Sequence, residues 1–179
     1  MSDITDLLTE ANRGDEASWN KLFAEFYGDL RKLAHARLRR NRVPTLLDTT
    51  VLVHEAYVRF AKGGRVHIND RSHFMAYAAR VMRSIIVDRL REQSAQKAGG
   101  QPDPPLQSGA NEILQVHEAL NHLATLNERL ARIVEMRYFA GMTEMEIADV
   151  LGVTERTVRR DWQKARIVLA ATLSRELVR

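Results

Sequence analysis

The sequence predicts an all-α protein made of two small helical domains joined by a flexible linker. Three observations carry that reading. Apolar residues recur every three to four positions along most of the chain. Almost no run alternates at strand period, and three of the four prolines cluster between residues 102 and 105, where the packing pattern lapses.

A first short helix is predicted over Ile4 to Ala11. A long one follows, with Trp19, Leu22, Phe23, Phe26, Tyr27, Leu30, Leu33 and Ala34 on one stripe that a core would bury. A third helix, from about Asp48 to Lys62, turns Leu52, Val53, Ala56, Tyr57 and Phe60 inward before Gly63 and Gly64 end it. The fourth runs from about Ser72 to Glu92. Its apolar face is Phe74, Tyr77, Ala78, Val81, Ile85 and Leu90, which leaves Arg80, Arg83, Arg89 and Arg91 for other surfaces. From Gln93 to about Ala110 the chain turns rich in Gly, Pro, Ser and Gln and reads as a tether. A coil of about 18 such residues spans roughly 20 to 25 Å. Helices resume at about Asn111 to His122 and Glu128 to Phe139, with Asn127 as a cap and Gly141 as a stop. The domain boundaries are therefore 1–92, a linker over 93–112, and 113–179.

The richest segment is Thr143 to Arg166, TEMEIADVLGVTERTVRRDWQKAR. Thr143 and Glu146 stand at capping-box spacing, so a helix starts there and buries Met145, Ile147, Ala148 and Leu151. Gly152 ends it, since glycine adopts a left-handed conformation at least cost, and Thr154 caps a second helix. In that second helix Val158, Trp162, Ala165 and Leu169 share one face, while basic residues occupy the rest. A helix-turn-helix offers the N-terminal residues of its second helix to base edges in the major groove. Glu155, Arg156, Arg159, Arg160 and Lys164 are accordingly the candidate DNA contacts, Arg pairing with guanine and Glu accepting from cytosine.

Composition narrows the classes further. The 179 residues carry a net charge of +4, unevenly spread: +5 over residues 1–91, −2 over 92–112 and +1 over 113–179. A second basic cluster, Arg31, Lys32, Arg37, Arg39, Arg40 and Arg42, lies in a stretch without acids between Asp29 and Asp48. Local positive surface of this kind suits a polyanion. There is no cysteine, which excludes disulfides and thiolate zinc sites, and the six histidines are scattered. Neither a metal nor another cofactor is expected. The chain has no phosphate-cradling glycine loop and no nucleophile motif, so it is not expected to be an enzyme. Its acidic opening, MSDITDLLTEANRGDE, lacks the layout of a signal peptide, and no apolar run approaches a membrane span. A cytoplasmic protein with no membrane contact is expected.

Three segments in order resemble the extracytoplasmic-function (ECF) group of bacterial RNA polymerase sigma factors. LVHEAYVRF (Leu52 to Phe60) is similar to that family's helix for binding core polymerase, and FMAYAARVMRSIIVDRLR (Phe74 to Arg91) to its promoter-melting helix. Leu120 to Leu173 looks like its module for the minus-thirty-five element. The resemblance implies core RNA polymerase, through its beta-prime clamp helices and beta flap, and promoter DNA as partners. It implies polymerase contacts at Asp48, Leu52, Val53, Glu55 and Arg59. It also implies minus-ten contacts in the loop and helix that follow, at His67, Ile68, Asn69, Arg71, Arg80, Arg83 and Ser84. Ile68 falls where an aromatic is sometimes found, and Ser84 and Asp88 where the family often has base-contacting polar residues.

One departure stands out. Where the family typically has several acids at the head of its polymerase-binding helix, this chain reads Asp48, Thr49, Thr50, Val51, leaving Asp48 and, further on, Glu55. Fewer negative charges weaken association with a cationic partner. Phosphorylation of Thr50, or secondarily Thr49, adds about −1.5 to −2 charge at neutral pH and restores the deficit. A Ser/Thr protein kinase is thus a candidate partner, in resemblance to a minority branch of the family that works this way; capping by Asp48 or a threonine is the plainer role for the segment. An anti-sigma protein leaves no motif here. The alternative function is a one-component helix-turn-helix regulator acting without polymerase, for which no ligand-pocket signature exists.

Overall fold

In the computed structural model, which describes residues 3–41, 47–62, 66–98 and 108–176, every regular element among the described residues is helical. Helix α1 (Ile4–Asn12) is capped by Asp3, and α2 (Glu16–Glu25) by Asp15, whose carboxylate accepts from Ser18 N at 2.7 Å. The stripe predicted as one long helix is two. The chain leaves helical geometry at Phe26 (φ −91°, ψ 5°) and resumes in α3 (Tyr27–Asn41). The bend lets Phe26 turn inward while Tyr27, expected in the core, stays 39% exposed. Helix α4 (Thr49–Lys62) buries Leu52, Val53, Ala56 and Phe60, and α5 (Arg71–Ala98) buries Phe74, Ala78, Met82, Ile85 and Leu90. Trp19, Phe23, Phe26, Phe60, Phe74 and Tyr77 meet edge-on or tilted, with centroids 4.9 to 6.0 Å apart, the arrangements that aromatic quadrupoles favour.

Helices enter the expected tether from both ends. Helix α5 continues to Ala98 and α6 (Ser108–Leu126) begins before Asn111, so only 99–107 of the expected tether lies outside the described residues. The basic cluster is described only in part: Arg42 lies outside those residues, as do Gly63, Gly64 and Arg65. After α6, Asn127 caps α7 (Glu128–Val134), its side chain accepting from Leu130 N at 3.2 Å. The helix then widens into a π-helical turn, Glu135–Phe139, and stops at Gly141 (φ 67°), a left-handed position that suits glycine.

Helices α8 (Glu144–Leu151) and α9 (Glu155–Glu176) follow with the caps that the sequence marks. Both bonds of the Thr143–Glu146 capping box form, Gly152 is left-handed (φ 63°, ψ 38°), and Thr157 N donates to the Thr154 hydroxyl at 3.2 Å. The inward face of α8 differs by one residue. Met145 is 61% exposed, and Val150 joins Ile147 and Ala148 in the core. Asp161 of α9, buried to 1% exposure, is held at 2.7 Å by Arg129 and so braces α9 against α7.

The N-terminal and C-terminal units touch. Buried residues from α2 to α5 form one continuous cluster with Leu120, Leu123, Leu130, Val134 and Phe139, and α5 lies against α6, the π turn and α8.

Candidate nucleic-acid interface

The first three turns of α9 form an open basic surface. Glu155, Arg156, Arg159, Arg160 and Lys164 are all exposed, because Val158, Trp162 and Ala165 take the inward positions. Arg159 is already oriented. Its Nε and Nη2 donate to Glu144 Oε2 at 3.1 and 2.9 Å, and the other oxygen of Glu144 accepts from Arg137 at 2.9 Å. Those bonds hold the Glu144 carboxyl below its ordinary pKa. Arg137 in turn lies over the Trp162 ring, 4.8 Å from its centroid. Glu144 carries no DNA-binding signature in the sequence, and only the α8–α9 packing brings it to Arg159.

The minus-ten candidates are less uniform. His67, Asn69, Arg71 and Arg80 are exposed, although Arg71 donates twice to Asp29 Oδ2, at 3.0 and 2.8 Å. Ile68, expected at a base-contacting position, is 1% exposed, so its side chain is core here and offers no stacking surface. Its backbone is gripped from outside the loop. Asn12 donates from Nδ2 to the Ile68 carbonyl at 2.8 Å and accepts from the Ile68 amide at 2.9 Å. No local signal points to Asn12, since the two residues are 56 positions apart. Asp70 caps α5 by accepting from His73 N at 2.8 Å. Ser84 accepts from Arg59 Nη1 at 3.0 Å, and Asp88 from Arg59 Nη2 at 2.7 Å, so these polar groups of α5 are tied to α4.

Arg83, expected on an available face, is buried at 9% exposure. It ion-pairs with Glu135 of the π turn, stands 2.6 Å from His117 Nδ1, and lies 5.7 Å from the centroid of Phe139. Burial lowers its guanidinium pKa, against the opposing pull of Glu135. Phe139 is also met by Arg37 of α3, 4.9 Å from the ring centroid, with Nη2 donating to the Tyr138 carbonyl at 3.0 Å. A cleft of about 190 Å³ beside this contact is lined by His67, Tyr77 and Arg80 on one side and Glu128, Arg132 and Glu135 on the other.

The expected polymerase contacts also divide. Leu52 and Val53 are 0% and 1% exposed, because positions 52, 53, 56 and 60 are the inward stripe of α4. The outward face is instead Thr50, Val51 and His54, with Val51 40% exposed. Asp48 is exposed and caps α4, accepting from Val51 N at 2.8 Å. Glu55 ion-pairs with Arg89 of α5, and Arg59 is committed to Ser84 and Asp88.

Among the described residues no group of acids and histidines could hold a metal ion, and no helix is long and apolar enough to cross a membrane. No curated protein matches the chain. The family model for ECF sigma factors matches residues 1–175, nearly the whole sequence. Members of that family are transcription factors rather than enzymes, and they bind core RNA polymerase and promoter DNA to initiate transcription. Since that match covers almost the full length, the chain belongs to the ECF sigma factor family.

Proposed function

We propose that this sigma factor anchors polymerase to the minus-thirty-five element through the N-terminal face of α9, and that His67, Asn69, Arg71 and Arg80 engage the minus-ten region. The observation that carries the reading is the open row Glu155, Arg156, Arg159, Arg160 and Lys164 on one helix end, with Arg159 preset by Glu144. Arginines held in this way suit bidentate reading of guanine, because less side-chain freedom is lost on binding. The polymerase meets the outward face of α4, from Asp48 through Thr50, Val51 and His54.

That face is short of negative charge, and the intramolecular bonds deepen the shortage. Asp48 is engaged as a cap and Glu55 is neutralised by Arg89. Thr50 is exposed in the first turn of α4, where free backbone amides and the helix dipole favour an anion. Phosphate there adds the missing charge. Thr49, half-buried, is the lesser site.

Transcription in vitro with core polymerase on genomic DNA, with start sites sequenced, tests the main reading. Start sites dependent on this protein are expected. Their absence, before and after kinase treatment, overturns it. For the phosphorylation step, core affinity is expected to rise from Thr50→Ala through Thr50→Glu to the phosphorylated protein, and equal affinity across the three overturns the switch.

A further inference from the structure

Apart from Arg37, the basic cluster of α3 takes no part in the contacts described so far. Helical geometry sorts it by direction. Leu30, Leu33, Ala34 and Arg37 take the inward stripe, which leaves Arg31, Lys32, His35 and Arg39 together on the outward side, all exposed. Arg31, His35 and Arg39 follow one another at helical spacing, so the row runs along the axis for about 12 Å. Asp29 is the sole acid in the sequence of α3, and it is taken by Arg71.

The row differs from other arginines of the N-terminal unit in what meets it. Arg59 pairs with Asp88, Arg71 with Asp29, and Arg89 with Glu55 and Glu92. Among the described residues no carboxylate pairs with Arg31, Lys32 or Arg39. The helix dipole accounts for a cation at Arg39, in the last turn of α3, but not for Arg31 and Lys32 in its second. Like charges at helical spacing mildly destabilise a fold, so such a row answers to a polyanion from outside.

Position identifies that polyanion. The Asp29–Arg71 pair ties the head of α3 to the loop that carries His67 and Asn69, and the row begins two residues beyond Asp29. A duplex leaving that loop along α3 presents about seven phosphate charges over the length of the row, at one per about 1.7 Å. We infer that Arg31, Lys32 and Arg39 form a phosphate-binding track for the duplex flanking the minus-ten region, holding it by charge without reading its sequence. The inference rests on the assignment of the loop before α5 to the minus-ten region.

The test is the salt dependence of promoter binding by the holoenzyme assembled with core polymerase. Arg31→Gln combined with Arg39→Gln should lower the slope of log affinity against log salt by about 2, since each lost phosphate contact removes about 0.9. At about 0.1 M salt, binding should weaken roughly tenfold to a hundredfold. The loss should be equal on a duplex whose minus-ten bases are exchanged, because phosphates carry no sequence information. Arg31→Lys combined with Arg39→Lys should restore the slope, since a point charge suffices for phosphate. Circular dichroism checks that the variants remain helical, and if the glutamine pair does not, Lys32→Gln alone, with an expected fall of about 1, decides. An unchanged slope overturns the track and leaves a solvated helix face. A loss of core affinity without a change of slope also overturns it, by making the row a polymerase contact. If Arg80→Gln leaves minus-ten preference unchanged, the assignment of the melting face fails while the slope still reports on α3. If no holoenzyme forms, the proposed function falls, and the same change of slope for the free chain on a mixed-sequence duplex decides the track.

Discussion

The two candidate DNA-reading surfaces differ in how they are held. On α9 the contacts are exposed and preset by neighbours within the same unit, Glu144 steadying Arg159 while Val158 and Ala165 anchor the helix beneath. On α5 and the loop before it, residues of the same chemical kinds are distributed between surface, core and an ion pair to the other unit. A recognition helix can be read from one amphipathic segment. A melting face is defined by what packs over it, so identical side chains acquire different roles.

The largest effect that sharpens this contrast is expected at Ile68. Replacement by alanine should cost about 2–4 kcal/mol of folding stability, the range for truncating a fully buried branched side chain, measured by urea denaturation. A neutral result would mean that the loop is not core. Asn12→Ala should cost about 1–3 kcal/mol, because it strands the Ile68 amide and carbonyl, and hydrogen exchange at the Ile68 amide should quicken. Arg159→Ala acts in the opposite sense. It should weaken binding of a minus-thirty-five duplex by about 1–3 kcal/mol and relax preference at one base pair, with folding stability changed by less than about 0.5 kcal/mol.

Smaller is the effect of pH through His117. Burial first, then the charges of Arg83 and Arg91, lower its pKa from 6.5, against Glu118 and Asp88, while Asn121 meets the other ring nitrogen at 3.1 Å. The unfolded chain therefore takes up the proton first. This contribution to stability is complete above pH 6.5 and declines as pH falls from there toward the lower folded-state value. Thermal melts between pH 7.5 and 5.5 should show the decline, flattened in His117→Gln. Smallest is Glu144→Gln. It should leave folding almost unchanged, raise non-specific DNA affinity by removing a negative charge, and reduce discrimination against a scrambled duplex by releasing Arg159. Unchanged discrimination would mean that Arg159 needs no orientation.

Much of the fold was legible because its signals are local. The capping box at Thr143, the left-handed Gly152 and the Asn127 cap each depend on residues within four positions, and each forms as the spacing implies. The stripe from Trp19 to Ala34 was legible as core but not as two helices, since the bend at Phe26 satisfies helical periodicity on both sides. Met145 misled because apolar character at the edge of a stripe does not say which way a short helix rolls, and α8 rolls toward Val150. On α4 the apolar positions 52 and 53 announced burial, whereas the resemblance announced contact with a partner. The packing gives them to the core.

By itself, then, the sequence determined the all-helical class, the caps at Asn127, Thr143 and Gly152, the basic face of α9 and the charge deficit at Asp48 to Val51, because capping, periodicity and charge act over one or two turns. The tertiary structure alone decided the pairings of Asn12 with Ile68, Arg59 with Asp88, Glu55 with Arg89 and Arg83 with Glu135, between 29 and 56 residues apart in sequence. Each joins polar groups that look available when their own helix is read alone. Which of them remain free for DNA or polymerase depends on the faces that helix packing brings together, and that information is carried by no single segment.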